Sequence, residues 1–111
     1  MNDATDSVLL RIFVNETARH GRQPLYEAVL LKARELHLAG ATVLRGAMGF
    51  GRSSTVHTAK VLSLSDDLPI VIEIVDSEAK IDAFMPVLGQ MMPSGLATLE
   101  KVRTVRFQAP P

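Results

Sequence analysis

The chain has no cysteine. That removes disulfides, thiol nucleophiles and thiolate metal ligands together, and it is compatible with the cytoplasm. Net charge is missing as well, because twelve basic residues balance twelve acidic ones. Zero charge exerts no global pull toward nucleic acid or an anionic membrane, so any anion site must be local. No apolar run reaches the roughly 18 residues of a membrane span, and the acidic opening, Met1 to Ser7, lacks the apolar core of a signal peptide. The expectation is a soluble cytoplasmic protein with no nucleic-acid partner and no direct membrane insertion. There is no nucleophile elbow, Walker loop, paired-carboxylate constellation or metal signature. Nothing in the spacing of Glu16, His20 and Glu73 supports acid–base roles, so the chain reads as a non-enzyme. What remains is 111 residues, 47% apolar and 22% charged, enough for one folded domain that gains from oligomerisation in burying surface.

Val8, Leu10, Ile12 and Val14 alternate with Leu9, Arg11 and Phe13, which predicts a strand over 8–14. Residues 69–75, PIVIEIV, repeat the pattern, with Ile70, Ile72 and Ile74 on one face and Val71, Glu73 and Val75 on the other. Helices on one side of a sheet need only one apolar face, so the second face of these strands asks for its own cover. Arg11 and Glu73 hold matching positions. The two strands are therefore expected to be central neighbours, with the charges paired on the face turned from the helices; two solitary solvated charges are the alternative. After a polar link over 16–23, Pro24 opens a helix whose stripe is Tyr26, Val29, Leu30, Ala33 and Leu36, ended by Gly40. Ser77 caps a second helix with the stripe Ile81, Phe84, Met85, Leu88, Met91 and Met92, kinked at Pro86. Its methionines read as adaptable core filling. Pro93-Ser94-Gly95 forms a turn before a last strand over 97–107, where Leu99, Val105 and Phe107 share a face with Lys101 and Arg103.

The chain is organised around Gly40 to Lys60. A strand over 41–50 runs out into Gly46, Gly49 and Gly51, followed by Arg52-Ser53-Ser54-Thr55. Glycine lets a backbone come close to another surface, so these positions read as a ligand-facing loop and not as packing. Backbone N–H groups, hydroxyls and a guanidinium are equipment for holding phosphate or carboxylate. A glycine-rich bulge at a sheet edge with a polar hairpin loop is the alternative. Thr58 to Leu64 resumes an extended run, and Ser65-Asp66-Asp67 with Pro69 makes a turn. The order βαβ, loop, βαβ predicts an α+β, ferredoxin-like sandwich: a four-stranded antiparallel sheet, two helices on one face and an extended loop after strand two. It occupies 8–107, with flexible ends at 1–7 and 108–111. The doubly apolar strands predict a closed homo-oligomer, sheets inward, with Leu9, Arg11, Phe13, Val71, Glu73 and Val75 at the interface.

Three segments, Gly49-Phe50-Gly51-Arg52, Leu68-Pro69 leading into Ile72-Glu73-Ile74-Val75, and the second helix with its glycine turn, resemble the PII nitrogen-regulatory signalling proteins over most of 8–107. Closer still, RHGRQPLYEAVLLKARELHLAGATVLRGAMGFG, HTAK and LPIVIEIVD resemble an uncharacterised, PII-like domain-of-unknown-function family. The resemblance implies a trimer of ferredoxin-like subunits with a ligand cleft between neighbours. In PII proteins the base of the long loop, the turn before the last strand and arginines of that strand grip an adenine nucleotide. By position Gly49, Gly51 and Arg52 match the loop base, Gly95 the turn, and Arg103 and Arg106 approximately the strand. The sequence departs from PII at Ser53, where PII has glutamine, at Ile70-Val71, where it has lysines, and at Leu96, where the turn would offer a lysine. The only tyrosine is Tyr26, in the first helix, so tyrosine uridylylation of the loop is not available. A different or smaller ligand, such as a mononucleotide, is expected.

The candidate site is then Arg45, Gly49, Gly51, Arg52, Ser53, Ser54 and His57 from the loop side, Gly95 from the turn, and Lys101 and Arg103 from the last strand. An intersubunit salt bridge is the alternative for the last two. His20, His37 and His57 are scattered over three elements, and the divalent-cation tolerance proteins share this fold, which keeps a metal reading beside the main one with no ligand assigned. The expectation is a homotrimeric PII-like regulator that binds a small anion, an adenine nucleotide, at intersubunit clefts and signals through the 51–58 loop to a membrane transporter or an enzyme. A cation-tolerance protein and a ligand-free trimeric scaffold are the alternatives.

Overall fold

The computed structural model describes residues 4–50, 57–58 and 67–109. In chain order these form β1 (Ala4–Asn15), β2 (Arg19–His20), β3 (Gln23–Pro24), α1 (Leu25–Glu35), β4 (Ala41–Arg45), β5 (Met48–Gly49), β6 (His57–Thr58), β7 (Pro69–Asp76), α2 (Glu78–Met91) and β8 (Leu96–Val105). The main sheet has the order β4-β7-β1-β8 and every neighbouring pair is antiparallel. This is the expected ferredoxin-like plait, with the first and third long strands central. Alternation makes it so: Val8, Leu10 and Ile12 of β1 and Ile70, Ile72 and Ile74 of β7 are buried on one face, where Val29 and Ala33 of α1 and Ile81, Phe84 and Leu88 of α2 pack on them. Branched side chains suit the pleated surface they occupy.

Several boundaries differ from the sequence reading. β1 starts at Ala4, and Ala4 to Ser7 pair with Val105 to Val102, so part of the expected flexible lead is strand. The polar link folds into the β2–β3 hairpin, turned by Gly21 in the left-handed region (φ 64). Pro24 is the N-cap of α1 and not its first helical residue. α1 ends at Glu35 with Leu36 as its C-cap, well before Gly40. Its terminator is His37, at φ 61, with His37 N donating to Arg34 O (3.1 Å) and Leu38 N to Ala33 O (3.0 Å). That is a Schellman motif, which satisfies the last carbonyls without glycine. Lys80 Nζ donates to His37 O (2.8 Å) and Ala39 N to Asp76 Oδ2 (2.9 Å), which pin the reversed chain to the start of α2. The buried stripe of α1 is Leu25, Ala28, Val29 and Ala33, so Leu36 is left exposed. In α2 the expected stripe holds, Ser77 Oγ accepts from Lys80 N (3.3 Å), and the helix runs through Pro86 to Met91. The expected strand over 41–50 breaks after Arg45, and β5 pairs with β6 as a separate hairpin. The extended run beyond Thr58 lies outside the described residues. β8 stops at Val105, leaving Phe107 beyond the strand and exposed.

Candidate functional site

The sheet has two ends of different chemistry. At the loop end β4 finishes, β7 begins at Pro69, β1 finishes at Asn15 and β8 begins after Gly95. Gly46 N donates to Pro69 O (2.7 Å), and a Cβ at Gly46 would lie 2.9 Å from Pro69 Cγ; at Gly49 the same distance would be 3.1 Å. Close approach to one proline ring therefore explains both glycines, and the reading that they are not for packing is corrected. Gly95 sits at φ 147, a conformation that a side chain would strain, so it makes the turn into β8. Arg45 is ion-paired with Glu16, whose side chain is only 18% exposed. That pair ties the exit of β1 to the end of β4. Sequence reasoning left Glu16 without a partner, since no local spacing links a residue just past β1 to one 29 positions later at the end of β4.

Lys101 and Arg103 stand at the opposite, far end. Their register partners are Val8 and Asp6, and with Asp6 and Glu78 they line a cavity of about 300 Å³ beside the start of α2. At ~3.3 Å per strand residue, Lys101 lies about 20 Å along β8 from Gly95. One chain thus does not bring the loop-side and last-strand candidates together. Gly51, Arg52, Ser53 and Ser54 lie outside the described residues, and His57 is described only through the backbone pairing of β6 with Gly49.

No described element covers the face turned from the helices. Register aligns Leu44, Val71, Phe13 and Leu96 into one apolar row across all four strands at the loop end. Leu44, Phe13 and Leu96 are 47%, 37% and 62% exposed. The next row is Thr42, Glu73, Arg11 and Thr98. Arg11 and Glu73 pair as expected, Nε to Oε2 at 2.8 Å, and Arg11 Nη1 also reaches Glu100 Oε2 at 3.4 Å. The hydrogen bond that Arg11 donates to Glu73, with the charges of Glu73 and Glu100, raises the Arg11 pKa above its ordinary value. Leu44, Leu96 and Glu100 extend the interface candidates Leu9, Arg11, Phe13, Val71, Glu73 and Val75. Among the described residues there is no group of three or more His, Cys, Asp or Glu able to hold a metal ion, and no helix long and apolar enough to cross a membrane.

Residues 7–104 match the DUF190 family, described as an uncharacterized ACR. The chain belongs to the DUF190 family. Its similar relatives include a UPF0166 protein of Aquifex aeolicus (strain VF5), 38% identical over 97 residues, covering 87% of this chain and 91% of that protein. A UPF0166 protein of Methanocaldococcus jannaschii is 29% identical over 84 residues, covering 76% and 77%. Among solved structures, this DUF190 chain is similar to CPII from Thiomonas intermedia K12, a nitrogen regulatory PII-like protein. The form bound to ADP, AMP and bicarbonate has a TM-score of 0.63 at 16% identity, covering 94% of this chain and 92% of that one. The form bound to ADP and bicarbonate has a TM-score of 0.61 at 18% identity, covering 94% and 93%. The fold is therefore PII-like, as the sequence resemblance implied.

Proposed function

We propose that this DUF190 chain is a cytoplasmic, non-enzymatic PII-like regulator. It forms a homotrimer with sheets inward, binds an adenine nucleotide in the clefts between copies, and passes that state through the 51–58 loop to a membrane transporter or an enzyme. The observation that carries the reading is the apolar row Leu44, Val71, Phe13 and Leu96 on a sheet face that no described residue covers, on a fold shared with a protein bound to ADP. A face of this kind on a small domain calls for further copies of the chain. Gly49, Gly51, Arg52, Ser53, Ser54, His57 and Gly95 serve the ligand from one copy, and Lys101 and Arg103 from its neighbour. Binding then orders the loop and changes its affinity for the partner.

A thermal-shift series with AMP, ADP, ATP, guanine nucleotides, cyclic dinucleotides and divalent metals, beside native mass measurement, tests this. A ligand that binds only the assembled native state raises its melting temperature with concentration. The expected result is a trimer mass and a rise with an adenine nucleotide that Arg52→Ala abolishes. A trimer that responds to nothing favours the ligand-free scaffold, which the packing of Gly46 and Gly49 on Pro69 and the Arg45–Glu16 pair independently support. A shift with metals alone would replace the nucleotide reading by the cation-tolerance one.

A further inference from the structure

An adenine nucleotide at the loop end needs cations there to meet its phosphates, and within one copy most of the described cations are committed or distant. Arg45 is paired with Glu16, Arg11 with Glu73, and Lys32 with Glu35. Lys80 is held by His37 O near the far end, where Lys101, Arg103 and Arg106 also stand. Among the described residues, the loop end keeps one uncommitted group of basic side chains: the guanidiniums of Arg19 and Arg22 with the imidazole of His20 between them, within four positions on the β2–β3 hairpin. All three are exposed, and none has an acidic partner among the described residues.

The hairpin is a built projection. Leu25 N donates to Ala18 O (2.8 Å) and Ala18 N to Asn15 O (3.1 Å), fixing its base to the end of β1. Gly21 at φ 64 makes the reversal that sets Arg19 and His20 opposite Pro24 and Gln23. The carboxylates around it are occupied: Glu16 by Arg45, Glu27 by Gln23 Nε2 (3.5 Å), and Asp67 by Thr17 N (3.1 Å). Arg19 and Arg22 thus keep their guanidinium donors without an ion pair among the described residues, beside the loop base. Two guanidiniums match phosphate oxygens by forked hydrogen bonds, and charge–charge attraction at an exposed site adds to these in a salt-dependent way.

We infer that the Arg19-His20-Gly21-Arg22 hairpin is a phosphate grip of this chain, holding the phosphates of a nucleotide bound at the loop end. The inference rests on the nucleotide reading above for the adenosine part of the ligand, while the phosphate chemistry stands on the hairpin alone. Calorimetry on the full-length chain with ADP, adenosine and inorganic pyrophosphate separates the two. The variant is Arg19→Gln with Arg22→Gln, both exposed, so circular dichroism and native mass are expected to match wild type. Wild type is expected to bind ADP more tightly than adenosine. The double variant should lose roughly tenfold or more of ADP affinity, and most of its salt dependence, while adenosine binding is unchanged. Pyrophosphate binding by wild type that the variant loses, without any ADP binding, keeps the grip and sinks the nucleotide reading. Equal ADP and pyrophosphate affinities in wild type and variant overturn the grip while the nucleotide reading survives. No binding of any probe by wild type overturns both.

Discussion

Gly46→Ala distinguishes a glycine kept for packing from one kept for a ligand. The new methyl carbon would stand 2.9 Å from Pro69 Cγ, 3.4 Å from Pro69 O and 3.6 Å from Pro69 Cβ. The first contact is closer than carbon atoms tolerate, and the backbone oxygen cannot retreat without stretching its 2.7 Å bond from Gly46 N. Overpacking typically costs about 1–3 kcal/mol; a proline ring can repucker by some tenths of an ångström, so the lower half, about 1–2 kcal/mol, applies. Pro69→Ala removes Cγ and leaves an ordinary 3.6 Å contact to Cβ as the nearest side-chain atom. In that background Gly46→Ala should cost no more than about 0.5 kcal/mol, giving a coupling of roughly 1 kcal/mol in a double-mutant cycle. Urea unfolding followed by far-UV circular dichroism, at one fixed protein concentration because the reading involves an oligomer, measures all four proteins. Equal costs in the two backgrounds would refute the packing argument. A stability-neutral Gly46→Ala that abolishes ADP binding would return the residue to the ligand.

Three further outcomes follow from single contacts. His37→Gly should stabilise the chain by about 1 kcal/mol in the same urea assay, because the left-handed cap costs a side chain roughly that much and the Schellman bonds remain. Phe84→Ala, at a fully buried centre of the core, should cost about 3–5 kcal/mol, and with a residual exposure of 1% the site has no solvent route to refill. Leu44→Asp, in the exposed apolar row, should lower the native mass toward a monomer by light scattering while far-UV circular dichroism is retained; an unchanged mass would remove this face from the interface.

The fold was legible because its central strands state their neighbours. Period-two alternation in 8–14 and 69–75, with one charge in each otherwise apolar outer face, predicted both the adjacency and the Arg11–Glu73 register that the sheet has. What was not legible depended on backbone geometry. Glycine takes a left-handed cap far more often than histidine does, so Gly40 drew the helix end away from His37. The two-residue strands of the β2–β3 hairpin are too short for any periodicity to register, and the polar link hid a projection that carries two arginines and a histidine. The glycines misled for a different reason: a glycine that faces a ligand and one that faces a proline ring are the same letter, and only Pro69, 23 positions after Gly46, tells them apart.

The division of candidate cations between the two ends of the sheet constrains how copies could assemble. If the strands ran along a threefold axis, every loop end would lie on one side and every Lys101 and Arg103 on the other, and no cleft could hold both. If the strands run around the ring, the loop end of one copy meets the far end of the next, a head-to-tail contact that closes after three. The absence of cysteine makes this directly measurable. A Ser94→Cys, Arg103→Cys chain carries its two thiols nine residues apart, about 30 Å along the extended strand, too far for a disulfide within one copy. A head-to-tail ring should give covalent dimers and trimers with a short bis-maleimide, absent from either single variant. A native trimer in which the double variant links no more than the single ones would mean that strands run along the axis. Lys101 and Arg103 would then belong to a site of their own at the far end, and the ligand at the loop end would be held without them.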